Sequence, residues 1–196
     1  MTPDTMVRLV DQRCLWGTPN AIYAVPTPLR GIAYLRVART PYCNDERTVV
    51  IADAARFLAA WRIDAGPRWR GQWMRLTDHF RGRSPERNKW LPHLSPRAWA
   101  NDYKFGDAED GFSQGRDNPV PLAEVGLGGR VGVGFTNGIT RTLWLLVQQA
   151  HAFPVECRTS SSSTLHALIG QPGTTPQTVD ALTRGIALYD RPWPAP

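Results

Sequence analysis

The densest chemistry in this chain sits in Asn137-Gly138-Ile139-Thr140-Arg141-Thr142. Asn and Gly let the backbone turn with positive φ, and a helix-forming run starts directly after them. The amides of Ile139 to Thr142 then fall at a helix N-terminus, where unpaired N–H groups and the positive end of the dipole suit phosphate. Arg141 adds a cation that can fork onto phosphate oxygens and stabilise charge as a phosphoryl bond breaks. Glu156, on the strand after Pro154, could orient water or a metal if it faces the cleft. His151 reads as a helix-end residue near the dipole, with a general base as the other reading. Asp107, Glu109 and Asp110 form an acidic knot, and Glu109 and Asp110 are the candidate ligands for Mg2+ or another divalent cation. Arg81, Arg83, Arg87 and Lys89, with Trp90 beside them, read either as a DNA-backbone contact or as a solvated loop.

Several elements must position these groups. A β-rich run from Arg130 to Thr136 leads into the Asn-Gly turn. An apolar helix through Leu143-Trp144-Leu145-Leu146-Val147 follows, then a strand at Phe153-Pro154-Val155-Glu156-Cys157. Asn118 to Val125 reads as a preceding strand entered through a proline turn, with Gly128-Gly129 as a hairpin turn. Upstream, 31–39 and 47–52 are strand-like. Asp53 can cap a helix over 54–61 whose core face holds Leu58 and Trp61. A second helix is expected from Pro67 to Phe80, with Trp69, Trp73, Leu76 and Phe80 as its stripe. Residues 1–29 read as an irregular lead-in, because Pro19, Pro26 and Pro28 interrupt any long element. A polar run at 160–164 should cap a helix over 165–169. A last helix should run from Gln177 to about Tyr189, before an extended tail at 191–196. The expected organisation is one α/β domain over 30–190, a mixed sheet with packed helices and additional terminal helices.

Composition narrows the partners. Formal net charge is +6 and the pI about 9.7, which favours a polyanion. Arginine supplies nearly all of it, since the only lysines are Lys89 and Lys104. That bias suits phosphate forks and equally suits a GC-rich genome. Cys14, Cys43 and Cys157 form neither a metal spacing nor a disulfide framework, so a reducing cytoplasm is expected. No apolar run is long enough to span a bilayer.

The segment Phe135 to Arg141, with Pro154-Val155 closing it, resembles the signature of the ParB/sulfiredoxin superfamily. The gap from Gly138 to Pro154 is that of the ParB box glycine to its Pro-Val strand. The resemblance spans residues 111–157. Three departures shape what it implies. Ile139 stands where sulfiredoxins carry their cysteine, so no thiol reductase is expected. Thr140 replaces a second basic residue of the ParB box, and no helix-turn-helix reader follows. The wording Asn-Gly-Ile-Thr-Arg-Thr-x-Trp-Leu-Leu, then Ala-Phe-Pro-Val-Glu-Cys, is most similar to plasmid fertility-inhibition factors, the group of the Osa and FiwA proteins. That resemblance implies a ParB/sulfiredoxin-like fold and a cytoplasmic bacterial protein that blocks conjugative or T-DNA transfer. It also implies ATP hydrolysis and DNase activity on transferring DNA. Such a nuclease needs a divalent metal to stabilise charge on the transferring phosphate, and the net charge without a reader helix points to DNA binding without sequence preference. A component of the conjugation or type IV secretion machinery is a further implied partner, with peripheral inner-membrane association through it. A non-catalytic blocker and a nucleotide-dependent ParB-like clamp remain as alternatives.

Overall fold

The protein is described from a computed structural model over residues 6–65, 91–128 and 132–187. Among these residues the chain runs β1 (Arg8–Leu15), β2 (Thr18–Thr27), β3 (Gly31–Ala38), β4 (Arg47–Asp53) and α1 (Ala54–Ala65). After a 3-10 turn at Leu91–His93 come α2 (Pro96–Ala100), α3 (Phe105–Ser113) and a second 3-10 turn at Gly115–Asp117. Then follow β5 (Val120–Pro121), β6 (Ala123–Gly128), β7 (Gly132–Asn137), α4 (Ile139–Val147), β8 (Ala152–Arg158), α5 (Thr159–Ile169), β9 (Gln177–Thr178) and α6 (Val179–Thr183).

These strands make two mixed sheets, ordered β1-β2-β3-β5 and β7-β6-β8-β4-β9. β3 with β5 and β6 with β8 are the parallel pairs. The chain changes sheets at Leu122. Pro121 pairs with Arg36 in the first sheet, and Ala123 pairs with Val155 in the second. Leu122 itself is buried and donates its N–H to the Arg36 carbonyl at 2.9 Å.

Strand alternation sends Ala21, Tyr23, Val25, Ala33, Leu35 and Val37 into one apolar cluster with the helices. Phe57 on α1 is its centre, edge-on to Phe135 and Phe153 at centroid distances of 5.6 and 5.2 Å. On the other flank Phe112 of α3 stacks on Trp144 of α4 at 4.1 Å. Each aromatic pair adds on the order of 1 kcal/mol beyond its buried area. α4 is buried at Thr142, Leu143, Trp144 and Leu145, as its apolar composition requires. The Asp53 cap is present: its Oδ1 accepts the Arg56 amide at 2.9 Å.

Several expectations need correction. The stretch assigned as an irregular lead-in forms β1 and β2, and β2 is a central strand. Pro19 and Pro26 lie next to its two ends, where a missing N–H disturbs little of the ladder. The α1 face is set by Phe57 and Trp61, while Leu58 is only half-buried. α5 begins at Thr159, so the whole polar run at 160–164 lies inside the helix. The last helix stops at Thr183, and Gly185 follows with φ 78°. Gln177 belongs to β9 instead. The helix expected over Pro67 to Phe80, Tyr189 and the tail at 191–196 lie outside the described residues.

Candidate functional site

Gly138 shapes the loop that was expected to hold phosphate. It is the N-cap of α4 with φ 92°. A Cβ there would lie 2.7 Å from Ala123 Cα and 3.0 Å from Arg141 Nε. Only glycine meets both demands, a left-handed turn and contact with the neighbouring strand. The first intrahelical bond runs from the Thr142 amide to the Gly138 carbonyl at 3.1 Å. The amides of Ile139, Thr140 and Arg141 therefore precede the helical ladder. Thr142 is committed inside the helix, its hydroxyl also bonding the Gly138 carbonyl at 3.1 Å. Its assignment as a phosphate ligand is corrected on that ground.

Arg141 is placed differently from a free phosphate fork. Its Nη1 donates to the carbonyls of Pro121 at 2.7 Å and Leu122 at 2.9 Å. Those carbonyls lie at the crossover between sheets, so the guanidinium supplies donors that neither ladder provides. Nη2 reaches Asn137 Oδ1 at 3.5 Å. Burial lowers the Arg141 pKa; the charge of Glu124 opposes that and the charge of Arg36 adds to it. An arginine stays protonated at neutral pH regardless. The three effects put Arg36, Glu124 and Arg141 in one electrostatic neighbourhood.

Strand register extends the neighbourhood. Asn137 lies opposite Glu124, and Glu124 opposite Glu156. Directly opposed residues share a sheet face, so these three side chains form a row. At its far end Glu156 is held by Arg47 through two parallel bonds, 2.6 Å to Oε1 and 2.8 Å to Oε2. The Glu156 side chain is only 12% exposed. Both oxygens are engaged, so Glu156 is placed as half of an ion pair rather than as a carboxylate open to water. Beside it, burial and the Glu156 charge push the Cys157 thiol up to about 12.

The other sequence candidates do not join this row. Glu109 is half-buried and engaged at both oxygens: Oε2 accepts the Trp144 indole N–H at 2.6 Å and Oε1 pairs with Arg30. Asp110 is exposed on α3. With both Glu109 oxygens taken, this pair does not fit a divalent cation, and no cluster of three or more acidic, His or Cys groups forms among the described residues. His151 is exposed, and its carbonyl accepts the Ala54 amide at 2.9 Å. Arg81, Arg83, Arg87 and Lys89 lie outside the described residues. Glu124 and Arg36 were missed in the sequence. Arg36 had a usable signal, a charge within the alternating run Ala33-Tyr34-Leu35-Arg36-Val37. Among the described residues no helix is long and apolar enough to cross a membrane.

Residues 49–170 match the family model described as Plasmid Fertility inhibition factor. The protein osa of Shigella flexneri is 39% identical over 69 residues, covering 34% of this chain and 36% of that protein. The match thus spans about a third of that relative's length. The fold is similar to a crystal structure of Oncogenic Suppression Activity Protein, titled a plasmid fertility inhibition factor, in a gold(I) cyanide derivative. The TM-score is 0.65 at 22% identity, over 93% of this chain and 83% of that one.

Proposed function

This chain belongs to the plasmid fertility inhibition factors, and from that premise we propose that it blocks conjugative or T-DNA transfer by hydrolysing ATP and cleaving transferring DNA at the α4 loop. The observation that carries the reading is the pairing at Gly138 and Arg141. A left-handed glycine precedes three unladdered amides, and an arginine hydrogen-bonded, among the described residues, to neutral oxygens stands beside them. Amides and cation together favour a polyanionic phosphate. In this mechanism Ile139, Thr140 and Arg141 N–H groups bind phosphate oxygens, and Asn137 orients the Arg141 guanidinium. The Arg141 charge stabilises the negative charge that develops on the transferred group. Glu156 and Arg47 hold β4 against β8 and keep the row rigid. The metal expected for such chemistry finds no fitting pair at Glu109 and Asp110, so no step is routed through them. DNA is taken up through its backbone, without sequence preference, by a protein working in the cytoplasm.

The test uses purified protein with ATP and with single- and double-stranded DNA, in parallel with a conjugation assay in cells. Release of phosphate and loss of intact DNA are expected, both reduced at least tenfold by Asn137→Ala with the fold intact. A chelator titration reads out metal dependence separately. No hydrolysis under any condition, with transfer inhibition intact, identifies a non-catalytic blocker. A strong preference for one short DNA sequence identifies a clamp of the ParB kind.

A further inference from the structure

The two-residue turn between β1 and β2 is built from Trp16 and Gly17, with φ 50° and 75°. Tight hairpins of this hand ordinarily carry Asn or Gly at both positions, because φ is positive at each. A tryptophan is a poor steric choice there, and backbone strain of that sort persists where the surroundings enforce it. Trp16 is nonetheless 63% exposed, so burial does not account for it. Among the described residues the Arg36 guanidinium holds the ring, 5.0 Å from its centroid. Arg36 donates through Nη1 to Asn20 Oδ1 at 3.0 Å, while its Nε is buried and has no hydrogen-bond partner among the described residues. On the next strand Arg36 is in register with Pro121, whose carbonyl binds Arg141. Trp16, Arg36 and Arg141 therefore succeed one another from the hairpin tip to the α4 loop. Behind the tip, Gly17 and Thr18 border a cleft of about 510 Å³ that also exposes Arg39 and Arg184. Those two arginines share a single carboxylate, Asp180.

We propose that the β1–β2 tip is a stacking post for an unpaired base of single-stranded DNA, with Arg36 taking the adjoining phosphate and leading the strand to the α4 loop. An aromatic ring at a protruding turn can stack on a base only where that base is free of its duplex partner. Cations beside the ring match the alternation of base and phosphate along a single strand. Trp16 and Arg36 lie outside residues 49–170, so this post is separate from the segment matched to the family. The inference rests on the DNA reading above.

The experiment titrates fluorescein-labelled oligothymidine, an abasic strand of equal length and a duplex, by anisotropy, against wild type, W16N, W16F and R36Q. W16N retains a residue suited to positive φ, so the turn survives; circular dichroism checks the fold. Wild type is expected to prefer oligothymidine to the abasic strand. W16N should bind oligothymidine roughly tenfold more weakly, leave abasic affinity unchanged and erase the preference, while W16F keeps most of it. R36Q should keep the base preference and lower the salt slope by about one phosphate contact. Equal oligothymidine affinity for W16N and wild type overturns the stacking post while leaving the DNA reading standing. Absence of DNA binding by wild type overturns both. W16N that binds DNA normally yet fails to block transfer overturns it in favour of a protein partner.

Discussion

Two arginines stand at opposite ends of one row of side chains, and their partners differ in charge. Arg47 grips both oxygens of Glu156. Arg141 grips the carbonyls of Pro121 and Leu122. Each cation is fixed in place by hydrogen bonds. In the first case the partner cancels the charge, and little field remains for a ligand. In the second the partners are neutral dipoles, so the positive charge stays available although the group is immobile. Fixing an arginine with backbone oxygens combines preorganisation with a charge that its hydrogen-bond partners do not cancel, a combination that suits a phosphate. Glu124 moderates the Arg141 end, and Arg36 offsets that moderation.

The comparison breaks most severely at Gly138. Gly138→Ala should cost about 3–5 kcal/mol, because the new Cβ meets backbone and the residue must keep a positive φ. Urea unfolding measures it; a loss below about 1 kcal/mol means that the close packing on Ala123 does not matter. Next is Arg47→Met, which strands a mostly buried carboxylate and should lower stability by about 2–4 kcal/mol. The double variant with Glu156→Gln should recover much of that loss. If Glu156→Gln alone abolishes hydrolysis while the fold is unaffected, the Arg47 end is catalytic and the contrast fails.

Arg141→Lys sharpens the other end. A lysine keeps the charge and loses the planar fork, so the Pro121 and Leu122 carbonyls lose donors. Stability should fall by about 1 kcal/mol, and nucleotide affinity by about tenfold to a hundredfold. Isothermal titration separates the two ends, since Arg47→Met should leave the affinity of the surviving folded protein near that of wild type. The smallest effect concerns Cys157. Burial and the Glu156 charge push its folded thiol up to about 12 from an ordinary 9.0. The unfolded state therefore releases its proton first, and stability present below pH 9 declines as pH rises toward 12. Burial raises the Tyr23 pKa as well, adding in the same direction. Cys157→Ala should reduce the alkaline slope of the unfolding midpoint; an unchanged slope assigns it elsewhere.

What the sequence alone determined is the local course of the loop and its flanks. Asn137-Gly138 before an apolar run dictates turn then helix, and the proline-bearing strand after it follows from short-range preferences. Those preferences act within a few residues, so they are legible in one dimension, and so was the resemblance that pointed to the family. Prolines misled at β2 for the same reason: their cost depends on whether a ladder needs that N–H, and the ladder is a tertiary object. The tertiary structure decided where each charged side chain went. Glu156 meets Arg47 from 109 positions away. Glu109 is claimed by Arg30 and Trp144, and Arg141 turns to a crossover 19 and 20 residues upstream. Such partners are fixed by register between strands and by the point at which the chain changes sheets. No local propensity encodes either, because a polar side chain settles wherever the folded chain leaves a complementary group unpaired.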